Sequence, residues 1–179
     1  KMAFNISQFK GVMNKAGDLY RGNLFHVNIN APGLGFDQDF QFLCKAAQIP
    51  ASTVEAIEVP YQNRVVKIAG DRTFEDWTIT VLNDQDFKYR HAFELWMQGI
   101  NQHEGNKSLK PADYKAQMSV TPSKRDDTAI GSYVFEGAFP TAVEAIDLTW
   151  ESGAQANEYT VTIAYDFWGK TSTAGNIDQ

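Results

Sequence analysis

Residues able to do chemistry are present in this chain, but their spacing does not organise them. The three histidines, His26, His91 and His103, are far apart and follow no metal-ligand spacing. Cys44 is the only cysteine. That excludes an internal disulfide, a thiolate zinc site and a Cys-x-x-Cys redox pair. Nothing in the sequence pairs Cys44 with a histidine, and a small buried hydrophobe is the plainer role. Gly33-Leu34-Gly35 lacks the third glycine and the following helix that a phosphate cradle needs. Asp84-Gln85-Asp86 begins like a calcium loop, but Tyr89 stands where the sixth-position glycine belongs. There is no Gly-x-Ser-x-Gly elbow. Two of the 22 acidic residues could meet as glycosidase carboxylates do. Most of them lie on alternating strand positions or in turns, the ordinary places for solubilising charge. The expectation is therefore no catalytic residue, no metal site, no cofactor and no enzyme activity.

The elements that would position such residues are strands. Phe25, Val27 and Ile29 alternate with polar neighbours, as do Phe40, Phe42 and Cys44, with Leu43 breaking the pattern. Trp77, Ile79 and Val81 alternate with Asp76, Thr78 and Thr80. Ala112, Tyr114, Ala116, Met118 and Val120 form another series, and so do Ile146, Leu148 and Trp150. The longest is Tyr159, Val161, Ile163, Tyr165 and Phe167. Period-two alternation puts one face of a sheet on a core and the other elsewhere. Val54 to Val59 and Val65 to Ala69, separated by Pro60 and Asn63, read as a hairpin that projects from the core. Its apolar character is interrupted by Glu55, Glu58, Arg64 and Lys67. One helix is expected after Asn83 and Asp84, which suit an N-cap. Its apolar face is Phe93, Trp96, Met97 and Ile100. Residues 1–22 read as an N-terminal arm or short helix, 23–168 as one β domain with the projecting hairpin at 46–72, and 169–179 as a flexible tail. The expected fold class is mainly β: a two-layer sandwich or partial barrel with one flanking helix.

The chain has 179 residues, 13% of them aromatic, and a net charge of −6. Such a balance repels nucleic acid and anionic membranes in general. Lys124-Arg125 is followed at once by Asp126-Asp127, as in a solvated turn. No apolar run approaches the ~18 residues that span a bilayer, and residues 1–19 do not read as a signal peptide. Asn5-Ile6-Ser7 and Asn106-Lys107-Ser108 match the glycosylation pattern by chance on this reading.

Two long stretches decide between these classes. Ala69-Gly-Asp-Arg-Thr-Phe-Glu-Asp-Trp-Thr-Ile-Thr-Val-Leu-Asn-Asp84 and Gly137-Ala-Phe-Pro-Thr-Ala-Val-Glu-Ala-Ile-Asp-Leu-Thr-Trp150 resemble the tail tube proteins of T4-like contractile bacteriophages. Asn23-Leu-Phe-His-Val27, Phe42-Leu-Cys-Lys-Ala46 and Tyr165-Asp-Phe-Trp168 match the same family in the same order. The resemblance runs from about residue 21 to 168. It implies a hexameric ring of β-rich subunits, similar in fold to the inner-tube protein of type VI secretion. Strands of six subunits would complete one inner barrel, and rings would stack into a tube inside a contractile sheath. Implied partners are other copies of the chain, the sheath protein, and the baseplate and tail-terminator proteins. DNA would pass through the lumen without specific binding during genome ejection, and the subunit itself would not enter a membrane. The place implied is the virion tail, assembled in the bacterial host cytoplasm. Six copies of −6 give about −36 per ring, a wall that repels phosphate.

In that setting Asp147, Thr149, Glu151, Glu158, Thr160, Thr162 and Asp166 are candidate lumen-facing residues. An exposed outer sheet would satisfy the same alternation. Glu55, Glu58, Arg64 and Lys67 are candidate inter-ring contacts that set register. Alternatives are a baseplate tube initiator, a tube subunit of a phage-derived injection system and, more distantly, an acidic carbohydrate-active sandwich.

Overall fold

In a computed structural model, residues 6, 10–13, 20, 22–31, 33–103, 105, 107–126, 128–150, 156–171 and 177–178 are described. The expected arm over 1–22 falls largely outside them, with residues 10–13 helical. Ten strands and three helices follow. They are β1 (Phe25–Asn30), α1 (Phe40–Leu43), β2 (Cys44–Ala47), β3 (Ser52–Tyr61), β4 (Arg64–Phe74), β5 (Trp77–Leu82) and α2 (Lys88–Ile100). Then come α3 (Pro111–Tyr114), β6 (Ala116–Pro122), β7 (Ser132–Val143), β8 (Glu158–Ala164), β9 (Phe167–Thr171) and β10 (Ile177–Asp178).

Eight strands form one antiparallel sheet: six follow the path β1-β6-β7-β8-β5-β2, while β9 pairs with β7 and β10 with β9. The path folds into two layers at β7. The first half of β7 pairs with β6 and β9, and its second half pairs with β8. Val27, Ile29, Met118, Val120 and Phe135 face inward from one layer. Trp77, Ile79, Val81, Tyr159, Val161 and Ile163 face them from the other. The layers touch where the Trp77 and Phe135 rings stack, 4.3 Å between centroids. The Trp77 indole N–H is satisfied by the Gln48 carbonyl oxygen at 2.7 Å, as a buried donor must be.

Helix α2 closes one end. It buries Tyr89, Ala92, Phe93 and Trp96, while Met97 and Ile100 of the expected face are only partly covered. It begins at Lys88, later than Asn83-Asp84 suggest, because Phe87 adopts a left-handed conformation, φ 53°. Asp84 still caps it at a distance: its Oδ1 accepts the Lys88 backbone N–H at 3.0 Å.

Several expected strands are corrected. Phe40 to Leu43 is a helical turn, and only Cys44–Ala47 is extended. Phe36, Phe40 and Leu43 are spaced four and three apart, so one turn brings all three onto the core. The Phe36 and Phe40 rings meet edge to face at 5.5 Å. Ala112 and Tyr114 lie in α3, opened by Pro111 at its first position, where proline lacks nothing the helix needs. The Tyr159–Phe167 series is two strands, broken at Tyr165-Asp166 as the chain passes from one layer to the other. Strand β9 reaches Thr171, three residues past the expected end of the β domain at 168, and β10 pairs with it. No strand forms over Ile146 to Trp150.

The longest strand, β7, carries no clean alternation. Its buried positions are Phe135, then Ala138 and Pro140, so the phase slips by one between them. The slip is a bulge at Gly137, whose φ is +67°. Asp166 fills the space above it, its Oδ2 and Oδ1 accepting hydrogen bonds from Lys115 Nζ at 2.6 and 2.7 Å. The Asp166 backbone N–H donates to the Glu136 carbonyl oxygen at 3.0 Å. Lys124 to Asp126 form the expected turn, closed by the Lys124 N–H on the Thr128 carbonyl oxygen.

Candidate functional site

The layer made of β2, β5, β8 and the second half of β7 has two distinct faces. Its inner face is the core. Its outer face is a threonine surface, because β5 and β8 pair in the register Thr78↔Thr162 and Thr80↔Thr160. Thr141 of β7 extends it by donating its hydroxyl to the Thr162 carbonyl oxygen at 3.2 Å. At one end of β8, Glu158 is ion-paired with Lys45 of β2. Four cross-strand threonines make a small, hydroxylated, neutral wall, with one mutually compensated charge pair at its rim.

Of the residues expected to face a lumen, Glu158, Thr160 and Thr162 therefore share one surface. The structure adds Thr78, Thr80 and Thr141 to them. The alternation of Thr78 and Thr80 with buried Trp77, Ile79 and Val81 was visible in the sequence; the pairing of β5 with β8 was not. Asp147 and Thr149 lie in the irregular segment after β7, so the strand meant to present them is absent. Glu151 is outside the described residues. Asp166 sits at the Gly137 bulge, ion-paired with Lys115, away from the threonine rows.

Both lateral edges of this layer are open among the described residues. β2 pairs only with β5, and Phe139–Val143 of β7 pair only with β8. Exposed ladder groups at two edges of one sheet are a template for adding further strands.

The projecting hairpin is a separate two-stranded sheet, β3–β4. Gln62 and Asn63, φ 43° and 62°, form its tip, the left-handed pair that two-residue hairpin turns require. Register sorts its side chains. Ile57↔Ile68, Val59↔Val66 and Tyr61↔Arg64 share one face, and Ala56↔Ala69, Glu58↔Lys67 and Pro60↔Val65 share the other. Ile57, Val59, Tyr61, Val66 and Ile68 are all exposed. A two-stranded ribbon is marginal alone in water, so five exposed apolar residues on one face mark a contact surface. The charges expected to reach another subunit behave differently. Glu58 and Lys67 pair with each other at 3.2 Å, both more than half exposed, a bond worth only about 0.2–1 kcal/mol. Glu55 lies at the register shift between Val54 and Ala56, and Arg64 at the tip.

Among the described residues no three His, Cys, Asp or Glu side chains gather. Burial pushes the Cys44 thiol up to about 12, far from a reactive thiolate. Asp37 is held near 2, first by the hydrogen bond from Lys88 and then by that from Tyr89. This pair ties the loop before α1 to the first turn of α2. No helix is long and apolar enough to cross a membrane among the described residues.

Comparison with known proteins places this surface in context. A family model described as phage tail tube protein matches residues 20–171. The tail tube protein gp19 of Enterobacteria phage T4 is 40% identical over 157 residues, covering 86% of this chain and 93% of the relative. Among solved structures, the fold is similar to a chain in the 6-fold symmetrised baseplate of the anti-feeding prophage. The TM-score is 0.64 at 10% identity, over 86% of this chain and 96% of that one. It is also similar to a type six secretion system protein, TM-score 0.50 at 11% identity, over 87% and 89%. With the match extending from just before β1 to the end of β9, and identity at this level across it, the chain belongs to the phage tail tube protein family.

Proposed function

We propose that this tail tube protein is a purely structural subunit that closes its four-stranded layer only in company, as one sixth of a ring. The observation that carries the proposal is the layer itself: core on one face, threonines on the other, ladder groups open at both edges. Joining the β7 edge of one copy to the β2 edge of the next removes both edges. Repeated round a ring, it yields a barrel whose bore is lined by Thr78, Thr80, Thr141, Thr160 and Thr162. Six-fold closure is supported by the symmetry stated for the anti-feeding prophage baseplate. A neutral hydroxylated bore on a subunit of net charge −6 offers phosphates no cationic wall to release counterions against. DNA then passes without specific binding. Rings stack within a contractile sheath in the virion tail, between baseplate and terminator, after assembly in the host cytoplasm. The 40% identity to a tail tube protein favours a tube subunit over a baseplate initiator or an injection-system subunit. Family membership leaves no support for a carbohydrate-active sandwich.

The test is electron microscopy and sedimentation of the purified chain across a wide concentration range. Rings of six, and tubes at high concentration, are expected. A strict monomer throughout would overturn the proposal.

The hairpin supplies the contact between rings, chiefly through its apolar face. Ile57→Asp with Ile68→Asp should abolish tube growth and leave the thermal midpoint of the subunit nearly unchanged, because both side chains are exposed. Glu58→Lys with Lys67→Glu restores the same pair in reverse and should slow stacking far less. Tubes forming normally from the double aspartate variant would remove the hairpin from the interface.

A further inference from the structure

The segment that leaves β7 has a strand's sequence and no strand's structure. Ile146, Leu148 and Trp150 alternate with Asp147 and Thr149, yet the segment is irregular in the single chain. Ile146 packs against the core. Leu148 is 80% exposed and Trp150 fully so. Such large apolar side chains left in water mark a surface that another body covers.

The sheet topology says which body. Strands β2, β5, β8 and β7 are successively antiparallel, so β2 and β7 run in opposite directions. In a ring every copy has the same orientation. When β7 of one copy meets β2 of the next, the pairing is again antiparallel. The exit of β7 then lies beside the entry of β2. The exit is the segment after Val143, and the entry is α1. Phe42 of α1 is 71% exposed, although its neighbours Phe40 and Leu43 face the core.

We propose that Leu148 and Trp150 of one copy pack on Phe42 of the next, forming the apolar anchor of the contact around the ring. The inference rests on the ring reading above and adds its partner residues. Two apolar patches, each left exposed among the described residues, are brought together by the one edge joint that keeps the sheet antiparallel. A tryptophan that buries its whole ring against an aromatic is the usual kind of interface hot spot. Folding of 146–150 is thereby coupled to assembly.

The experiment uses the full chain with Cys44→Ala as background. Phe42→Cys and Leu148→Cys are introduced singly and together, rings are assembled and checked by microscopy, and a mild oxidant is added. Covalent ladders up to ring size are expected from the paired variant on a non-reducing denaturing gel, and none from either single variant. Separately, Trp150→Ser should raise the concentration needed for rings by roughly tenfold or more, with an unchanged thermal midpoint for the monomer. Intact rings that give no ladder, or Trp150→Ser assembling at the parent's concentration, would overturn the contact while leaving the ring itself standing. Absence of rings in the parent protein would overturn both.

Discussion

Replacing Trp77 by alanine is expected to lower the unfolding free energy of the subunit by about 3–5 kcal/mol. Trp77 is 2% exposed at the junction of the two layers. Its ring stacks on Phe135, and its N–H is the partner of the Gln48 carbonyl. Truncation therefore empties a site lined from both sheets and strands an acceptor at the end of β2. Typical domains hold only about 5–15 kcal/mol in total, so the variant should be close to unfolding at growth temperature. Urea titration of dilute, unassembled protein gives the number. Phe42→Ala, at an exposed position, is the control and should stay within about 0.5 kcal/mol of the parent. A Trp77→Ala variant as stable as that control would mean the layers do not pack as described.

Gly137→Ala should cost about 2–4 kcal/mol, from two sources that add at the same atom. The backbone there has φ +67°, which residues with a side chain avoid. A Cβ would also stand 2.8 Å from Asp166 Cγ, and closer still to Oδ2. Relieving that overlap moves Asp166 and breaks its pair with Lys115. Lys115→Met separates the two sources, since it removes the ion pair and leaves the backbone alone. With Asp166 half exposed, it should cost less than about 1 kcal/mol. If Gly137→Ala melts no earlier than Lys115→Met, the bulge does not require glycine and the crossing of β7 is set by something else. Because β7 links the layers, the alanine variant should also blunt assembly when its loss of stability is offset by low temperature.

These two positions differ in how far they could be read beforehand. Trp77 alternates with Ile79, Val81 and three polar residues, and a run of that regularity has one buried face whatever lies opposite. The same holds for β1, β6 from Ala116 onward and β8. The hairpin was legible because Pro60 and Asn63 separate two β-rich runs, and α2 because its apolar residues recur at three and four. Gly137 could not be read as a bulge. Strand β7 serves both layers, so its buried residues change phase at the crossing and the alternation cancels. Phe40-Phe42-Cys44 misled for the opposite reason. A helical turn and a strand both return to the same side after four residues, and only Phe36, brought close by the fold, decides between them.

Alternating pattern in the sequence thus determined that this chain is a two-faced β-protein with an aromatic core, and its long matched stretches determined the family. The lumen candidates show where that ends. Glu158, Thr160 and Thr162 share one face because alternation along one strand is local. Thr78, Thr80 and Thr141 joined them only through register between strands distant in sequence. Asp166 left them because a salt bridge to Lys115 needs the bulge that brings the two together. Asp147 and Thr149 left them because a strand exists only where another edge accepts its hydrogen bonds, and among the described residues no edge reaches 146–150. Which faces are buried follows from side-chain chemistry, residue by residue. Which strands meet, and which edges stay open for a second copy, follows from backbone hydrogen bonding across the whole chain, and only the tertiary structure decides it.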